Sequence, residues 1–230
     1  MNRTNKILSI ITVFLLSLAL LMSVVDFWCF NKSFYTMEYQ KNDTSAYTGM
    51  SSEDNLNATV TLLDYLKDRR DDILVTAKVN GVEREVYNER ETLHMVDVKK
   101  LYQKALLVRN ITLILGIALL IYLMVSAKCS LKQILRQGFV KGNLLIGGIV
   151  LFVAIWALAD FDAFWTNFHL LFFDNDLWLL DPRTSIMINM LPGSLFFDLV
   201  AGIIIRFLIC MIVLYAVVCF LVPRLWSART

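Results

Sequence analysis

Two stretches of this sequence carry residue types suited to acid–base chemistry, and each is centred on one of its two histidines. In the first, Glu91, His94 and Asp97 stand at i, i+3 and i+6. On a helix, successive members of that row touch. A carboxylate beside an imidazole fixes its tautomer and stabilises its protonated form, the orienting role of the acid in catalytic triads. The same spacing equally describes a surface histidine in a charged helix. In the second stretch, Phe161, Phe164, Trp165, Phe168 and Phe172 recur at three- and four-residue spacing around His169. An imidazole among such rings is partly desolvated, which lowers its pKa and favours the neutral base. The alternative is an aromatic belt at the headgroup level that happens to include a histidine.

The elements that position these residues are mostly apolar. Of 230 residues, 57% are hydrophobic and 18% charged, more apolar surface than a soluble domain of this length can bury. Crossing a hydrocarbon layer of about 30 Å takes about 20 mostly apolar residues. Four stretches qualify: Ile7 to Val25, Val108 to Val125, Asn143 to Leu158 and Leu199 to Val222. The first is longer than the apolar core of a signal peptide and lacks a small-residue cleavage site, so it is expected to remain as an anchor. The expected organisation is a first span with its short N-terminus over residues 1–27 and an extracytoplasmic cap over 28–107. The second span occupies 108–126, a basic cytoplasmic loop 127–142 and the third span 143–159. An aromatic interfacial segment covers 160–198, the fourth span 199–222 and a cytoplasmic tail 223–230.

Charge sets the orientation. Arg3 and Lys6 precede the first span, Lys128, Lys132, Arg136 and Lys141 lie between the second and third, and Arg224 and Arg229 follow the last. All three groups share one side of a four-span chain, which the positive-inside rule makes cytoplasmic. Both histidines then face the other side. The central basic stretch spaces its charges at i, i+4 and i+8 and is expected as a short helix on anionic headgroups.

Within the cap, Ser51 and Asp54 form a capping box ahead of Leu56, Val60, Leu63 and Leu66 at helical spacing. Asn80-Gly81, between Ile73–Val79 and Val82–Tyr87, specifies a type I′ hairpin. One helix and one hairpin are therefore expected, with a further helix running from about Glu89 into the second span. The four cysteines, Cys29, Cys129, Cys210 and Cys219, are placed too far apart for disulfides. Asp174, Asp176 and Asp181 supply turn chemistry and lack the glycine and distal glutamate of a calcium loop, so no metal is expected. No cofactor motif is present, and nothing in the charge distribution suggests nucleic acid. Arg183 suits a headgroup or an aspartate. Arg206, inside the fourth span, has three options: snorkelling, pairing with Asp26, Asp160 or Asp198, or contact with a substrate carbonyl.

The run Glu91-Thr-Leu-His94-Met-Val-Asp97-Val resembles the first signature of the bacterial lipoprotein intramolecular transacylases. Residues Phe161 to Phe173, with Trp178, Asp181-Pro182, Ile188-Asn189 and Leu191-Pro192, are similar to that family's second block. Thr48-Gly49-Met50-Ser51 with residues 62–66 resembles a weaker third. Gly193-Ser194 stands where many relatives are expected to carry a glutamate. The resemblance implies an all-α polytopic fold, four membrane helices under a small α+β extracytoplasmic cap, with the site at their junction. It implies transfer of the sn-2 acyl chain of a diacylglyceryl lipoprotein to the amino group of its own N-terminal cysteine, leaving a lyso-form lipoprotein. On that reading His94 and His169 are the catalytic pair, supported by Glu91, Asp97 and Asp181. Phe161, Phe164, Trp165, Phe168, Phe172, Trp178, Arg183 and Arg206 bind substrate. The partners are diacylglyceryl-modified lipoproteins and membrane lipid, and the expected state is a monomer in the bacterial plasma membrane.

The residue inventory suits such a reaction. An amine of pKa near 8 is within reach of a neutral imidazole base, and a second imidazole can protonate the departing oxygen. Acyl carbon, ester oxygen, glyceryl carbons, sulfur, Cβ, Cα and nitrogen close a ring of about eight atoms, so much of the rate must come from holding the ends together. There is no G-x-S-x-G, phosphate loop or H-E-x-x-H. A membrane acyl hydrolase, a phospholipid-dependent acyltransferase, a metal site built from His94, His169, Glu91 or Asp97, and a non-catalytic structural membrane protein remain as alternatives.

Overall fold

The structure is a computed structural model that describes residues 1–217. The distal part of the expected fourth span, Cys219, the 223–230 tail, Arg224 and Arg229 lie outside the described residues. Among the described residues nine helices and one hairpin follow one another: α1 (Arg3–Cys29), α2 (Lys32–Lys41), α3 (Thr44–Thr48), α4 (Ser52–Leu66), β1 (Thr76–Val79), β2 (Val82–Glu85), α5 (Glu89–Val125), α6 (Leu131–Ala159), α7 (Phe161–Phe172), α8 (Ile186–Met190) and α9 (Gly193–Ala216). Four of them, α1, α5, α6 and α9, are long and apolar enough to cross a membrane. The chain is a multi-pass membrane protein with a small two-stranded sheet.

The chain divides into two compact units. One comprises Met1–Asp26, Leu106–Trp156 and the described residues from Ala201 to Val217, and holds most of the apolar helix length. Its core joins Val24, Ile146, Val150 and Phe207, with Leu123, Cys129 and Ile134 forming a second cluster. Backbones approach closely here. A Cβ at Gly138 would lie 2.4 Å from the Ser9 carbonyl oxygen, and one at Gly142 2.8 Å from that of Ile10. This is the small-xxx-small contact by which membrane helices pack when hydrophobic burial cannot drive them together. It also revises the basic segment: residues 131–142 are the first turns of α6, continuous with the third span and packed on α1. Asp26 pairs with Arg109 at 2.8 Å.

The other unit comprises Phe27–Ala105 and Ala157–Val200. Ser51 caps α4 as its spacing predicts, accepting the Asp54 N–H at 3.0 Å. Asn80 and Gly81 both take positive φ, 51° and 83°, in the tight turn joining β1 to β2. The hairpin tip meets the glycine of the Thr48–Ser51 motif: the Asn80 N–H donates to the Gly49 carbonyl at 2.8 Å. A Cβ on Gly49, whose φ is +68°, would lie 2.3 Å from the Asn80 side-chain oxygen. Here glycine is required twice, by conformation and by space. The unit is richer than one helix and a hairpin. Asn31 caps α2, whose Phe34, Tyr35, Glu38 and Tyr39 are buried, and α3 and α8 pack together.

Candidate active site

Each histidine is presented by a helix with a well-made N-terminus. Asn88 and Glu91 form a reciprocal box: the Glu91 N–H donates to Asn88 Oδ1 at 3.0 Å, and the Asn88 N–H to Glu91 Oε2 at 2.6 Å. This starts α5 one turn before His94. Asp160 caps α7 by accepting the Ala163 N–H at 2.9 Å. The aromatic repeat of α7 then folds onto itself: Trp165 stacks on Phe161 and Phe168, with centroids 5.9 and 5.2 Å away. Phe164 is buried beside Phe161, whereas Phe172 touches Phe168 and is exposed.

The two imidazoles are brought together. Their ring centres are 6.1 Å apart at a 33° tilt, and each residue is 8% exposed. Trp165 lies edge-on to His169 at 4.9 Å, and Trp178 stacks on it at 4.8 Å and 25°. His169 Nδ1 lies 2.7 Å from the Trp165 carbonyl oxygen. A carbonyl only accepts, so Nδ1 carries the proton and Nε2 of the neutral ring keeps its lone pair. Burial lowers the His169 pKa, against which the Trp165 hydrogen bond acts. His94 falls further, to about 4, through burial first and then the His169 ring, with Arg90 adding and Asp97 opposing. Both shifts favour the neutral rings.

The carboxylates are used differently from the expected row. Glu91 is fully buried and its carboxylate is engaged elsewhere: Oε1 accepts the Ser185 hydroxyl at 2.5 Å and the Met187 N–H at 2.8 Å. Asp97 accepts Asn175 Nδ2 at 2.9 Å and Lys100 at 3.0 Å, which holds its carboxyl below the usual range. Neither carboxylate hydrogen-bonds His94, whose buried Nδ1 has no partner among the described residues. Asp181 chelates the exposed Arg183 and closes the turn leading to Ser185. That bond holds the Asp181 carboxyl low, at about 2. Arg206 belongs to the other unit and donates to the Gly202 carbonyl at 3.1 Å.

Further residues complete the site, of which Phe196 has no signal in the sequence. Phe173, one turn after His169, is buried against both imidazoles, 5.4 Å from His94 and 5.6 Å from His169. Phe196 stacks on Trp165 at 4.4 Å. Ser194, at the position expected to hold glutamate in relatives, donates to Asn42 at 2.9 Å. Among the described residues no group of three His, Cys, Asp or Glu side chains is arranged to hold a metal.

The family model described as lipoprotein intramolecular transacylase Lit matches residues 10–197, a stretch that includes both histidines. The chain belongs to the Lit family. Its fold is that of the membrane-integral lipoprotein intramolecular transacylase Lit from Bacillus cereus, at 20% identity and a TM-score of 0.78, covering 99% of this chain and 100% of that one. Variants of the same protein with one histidine replaced by arginine or by alanine superpose at TM-scores of 0.76 and 0.75, again at 20% identity. They cover 98% and 97% of this chain, and 95% and 96% of theirs. No curated protein matches. Within this Lit chain, the first signature is a helix start carrying His94, and the second is the aromatic α7 with the loop that returns Trp178 to His169.

Proposed function

We propose that the protein moves the sn-2 acyl chain of a diacylglyceryl lipoprotein onto the α-amino group of its N-terminal cysteine, with His169 as the general base. The observation that carries this reading is the Nδ1 bond to the Trp165 carbonyl, which leaves His169 Nε2 as a buried, unprotonated acceptor beside a second neutral imidazole. His169 takes a proton from the attacking amine as the C–N bond forms. It returns that proton to the glyceryl oxygen as the ester C–O bond breaks, base and then acid within one transfer. His94, neutral because it is buried, donates a hydrogen bond to the ester rather than acting as an imidazolium. The surrounding rings hold the acyl chain and exclude water, which favours transfer over hydrolysis. The histidine-bearing unit is proposed to face outward and the termini the cytoplasm, as the basic residues Arg3, Lys6, Lys132 and Arg136 argue.

Tandem mass spectrometry of a diacylglyceryl lipopeptide incubated with the purified protein tests the reading. Unchanged mass with the acyl chain on the cysteine nitrogen is expected. Loss of one acyl chain indicates a hydrolase, and gain of one indicates a phospholipid donor. An unaltered peptide from folded protein overturns the enzymatic reading.

A further inference from the structure

Residues 174–178 connect α7 to Trp178, and their contacts converge on Asn175. Its side-chain nitrogen donates to Asp97 at 2.9 Å, its side-chain oxygen accepts the Leu177 N–H at 3.0 Å, and its carbonyl accepts the Trp178 indole N–H at 2.9 Å. The first bond ties the loop to α5. The other two fold it into an Asx turn and aim the indole. A second tie lies alongside, since Arg90 pairs with Asp176 at 3.2 Å and also donates to its carbonyl. Arg90, His94 and Asp97 stand at i, i+4 and i+7, one face of α5. The loop is therefore fastened to α5 one turn before and one turn after His94, and the ring it delivers lies on His169.

We infer that Asn175, fastened to α5 through Asp97 and flanked by the Arg90–Asp176 pair, is a positioning residue that keeps the Trp178 indole stacked on His169 and so fixes the orientation of that ring. The inference rests on the reading of His169 as the base. The Trp165 carbonyl holds one nitrogen of the imidazole, which leaves the ring plane to be set by what packs on it. Trp165 lies edge-on and Trp178 face-on, and only Trp178 is carried by a loop held through exposed polar contacts. Asp97 thus acts on His169 through Asn175 and Trp178.

The test uses the full-length protein and a diacylglyceryl lipopeptide, comparing Asn175→Ala, Asn175→Asp and the reciprocal pair Asp97→Asn with Asn175→Asp. Asn175→Asp opposes two carboxylates, and the reciprocal pair restores a donor and an acceptor. Both single changes are expected to lower kcat by about 10- to 100-fold, in line with small misplacements of a catalytic group, while KM changes little; the pair recovers most of the rate. Because the chain has two histidines, its imidazole NMR signals resolve into two sets. Loss of the stack moves the His169 set toward its position in Trp178→Ala, by more than it moves the His94 set. Wild-type kcat with an unmoved His169 signal in Asn175→Ala overturns the inference. Should Asn175→Ala fail to fold, Asp97→Ala, which removes the acceptor of the Asn175 side chain and leaves Trp178 unaltered, must shift the same signal or the inference falls. If the wild-type protein leaves the lipopeptide unaltered, the transacylase reading fails, and the NMR comparison alone decides whether Asn175 positions His169.

Discussion

Trp165 engages His169 twice, its carbonyl oxygen 2.7 Å from Nδ1 and its indole edge-on to the imidazole at 4.9 Å. Residues four apart on one helix thus fix both the tautomer and the environment of the ring. The carbonyl belongs to the backbone, so no side-chain change at 165 removes the hydrogen bond, only the packing. Trp165→Ala is expected to lower turnover less than His169→Ala, which should cost about 10²–10⁴-fold as the loss of a general base. Rates from the lipopeptide assay on the two variants check this order.

The histidines should not limit turnover in mild acid as an unperturbed imidazole would. Both are active when neutral, and both have folded pKa values below the ordinary range, His94 at about 4. The acid limb of the pH–rate profile should therefore follow protonation of the attacking amine, of pKa near 8, with no further break in the usual imidazole range. Stability behaves in the opposite sense. Below pH about 6.5 the unfolded chain binds protons that the buried His94, facing His169 and Arg90 and opposed only by Asp97, does not. Folding therefore weakens between about 6.5 and about 4, by about 3 kcal/mol for His94 alone if the whole interval is crossed. Thermal melts of His94→Gln against wild type over that range should show the variant losing less stability toward acid.

Glu91 is expected to matter for folding more than for chemistry. Glu91→Ala leaves the Ser185 hydroxyl and the Asn88 and Met187 N–H groups without their acceptor. Each buried orphan costs about 1–3 kcal/mol. A lowered melting temperature is expected, with a smaller loss for Glu91→Gln, which keeps one acceptor oxygen. A Glu91→Ala protein with a wild-type melt would remove the structural role.

Gly138→Ala and Gly142→Ala should destabilise the α1–α6 contact, since the added methyl meets backbone carbonyl oxygens at 2.4 and 2.8 Å. Overpacking of this kind costs about 1–3 kcal/mol. Gly147→Ala and Gly148→Ala, where an added Cβ meets nothing within 4 Å, are the matched controls. Melting temperatures in one detergent distinguish the two pairs.

What the sequence disclosed was local. Apolar runs marked the spans, Asn80-Gly81 the hairpin, Ser51 with Asp54 a helix start, and the three- and four-residue recurrence of rings the helix that carries His169. Each is a signal contained within a few residues. What stayed hidden was long-range. Glu91 and Asp97 look like partners of His94 by spacing, yet their hydrogen bonds reach Ser185 and Asn175, 94 and 78 residues away. A carboxylate at i+3 has other places to point, and local periodicity does not record which one tertiary packing supplies. The helix α2 was missed because its mean hydropathy is low, although Asn31 and the aromatic pair Phe34 and Tyr35 mark it. Charges at four-residue spacing concealed the start of α6, where Gly138 and Gly142 were the informative residues.

The bond from Ser185 to Glu91 bears on how the protein is made. The helix that presents His94 is completed early, but the groups that satisfy its buried carboxylate are encoded 94 and 96 residues later, beyond two membrane helices. At about 5–20 residues per second, synthesis of that interval takes roughly 5–20 s. During that time the nascent chain holds a carboxylate without its final donors and a histidine without its counterpart. A chain that ends before Ser185 lacks two of the three donors that Glu91 meets in the finished fold.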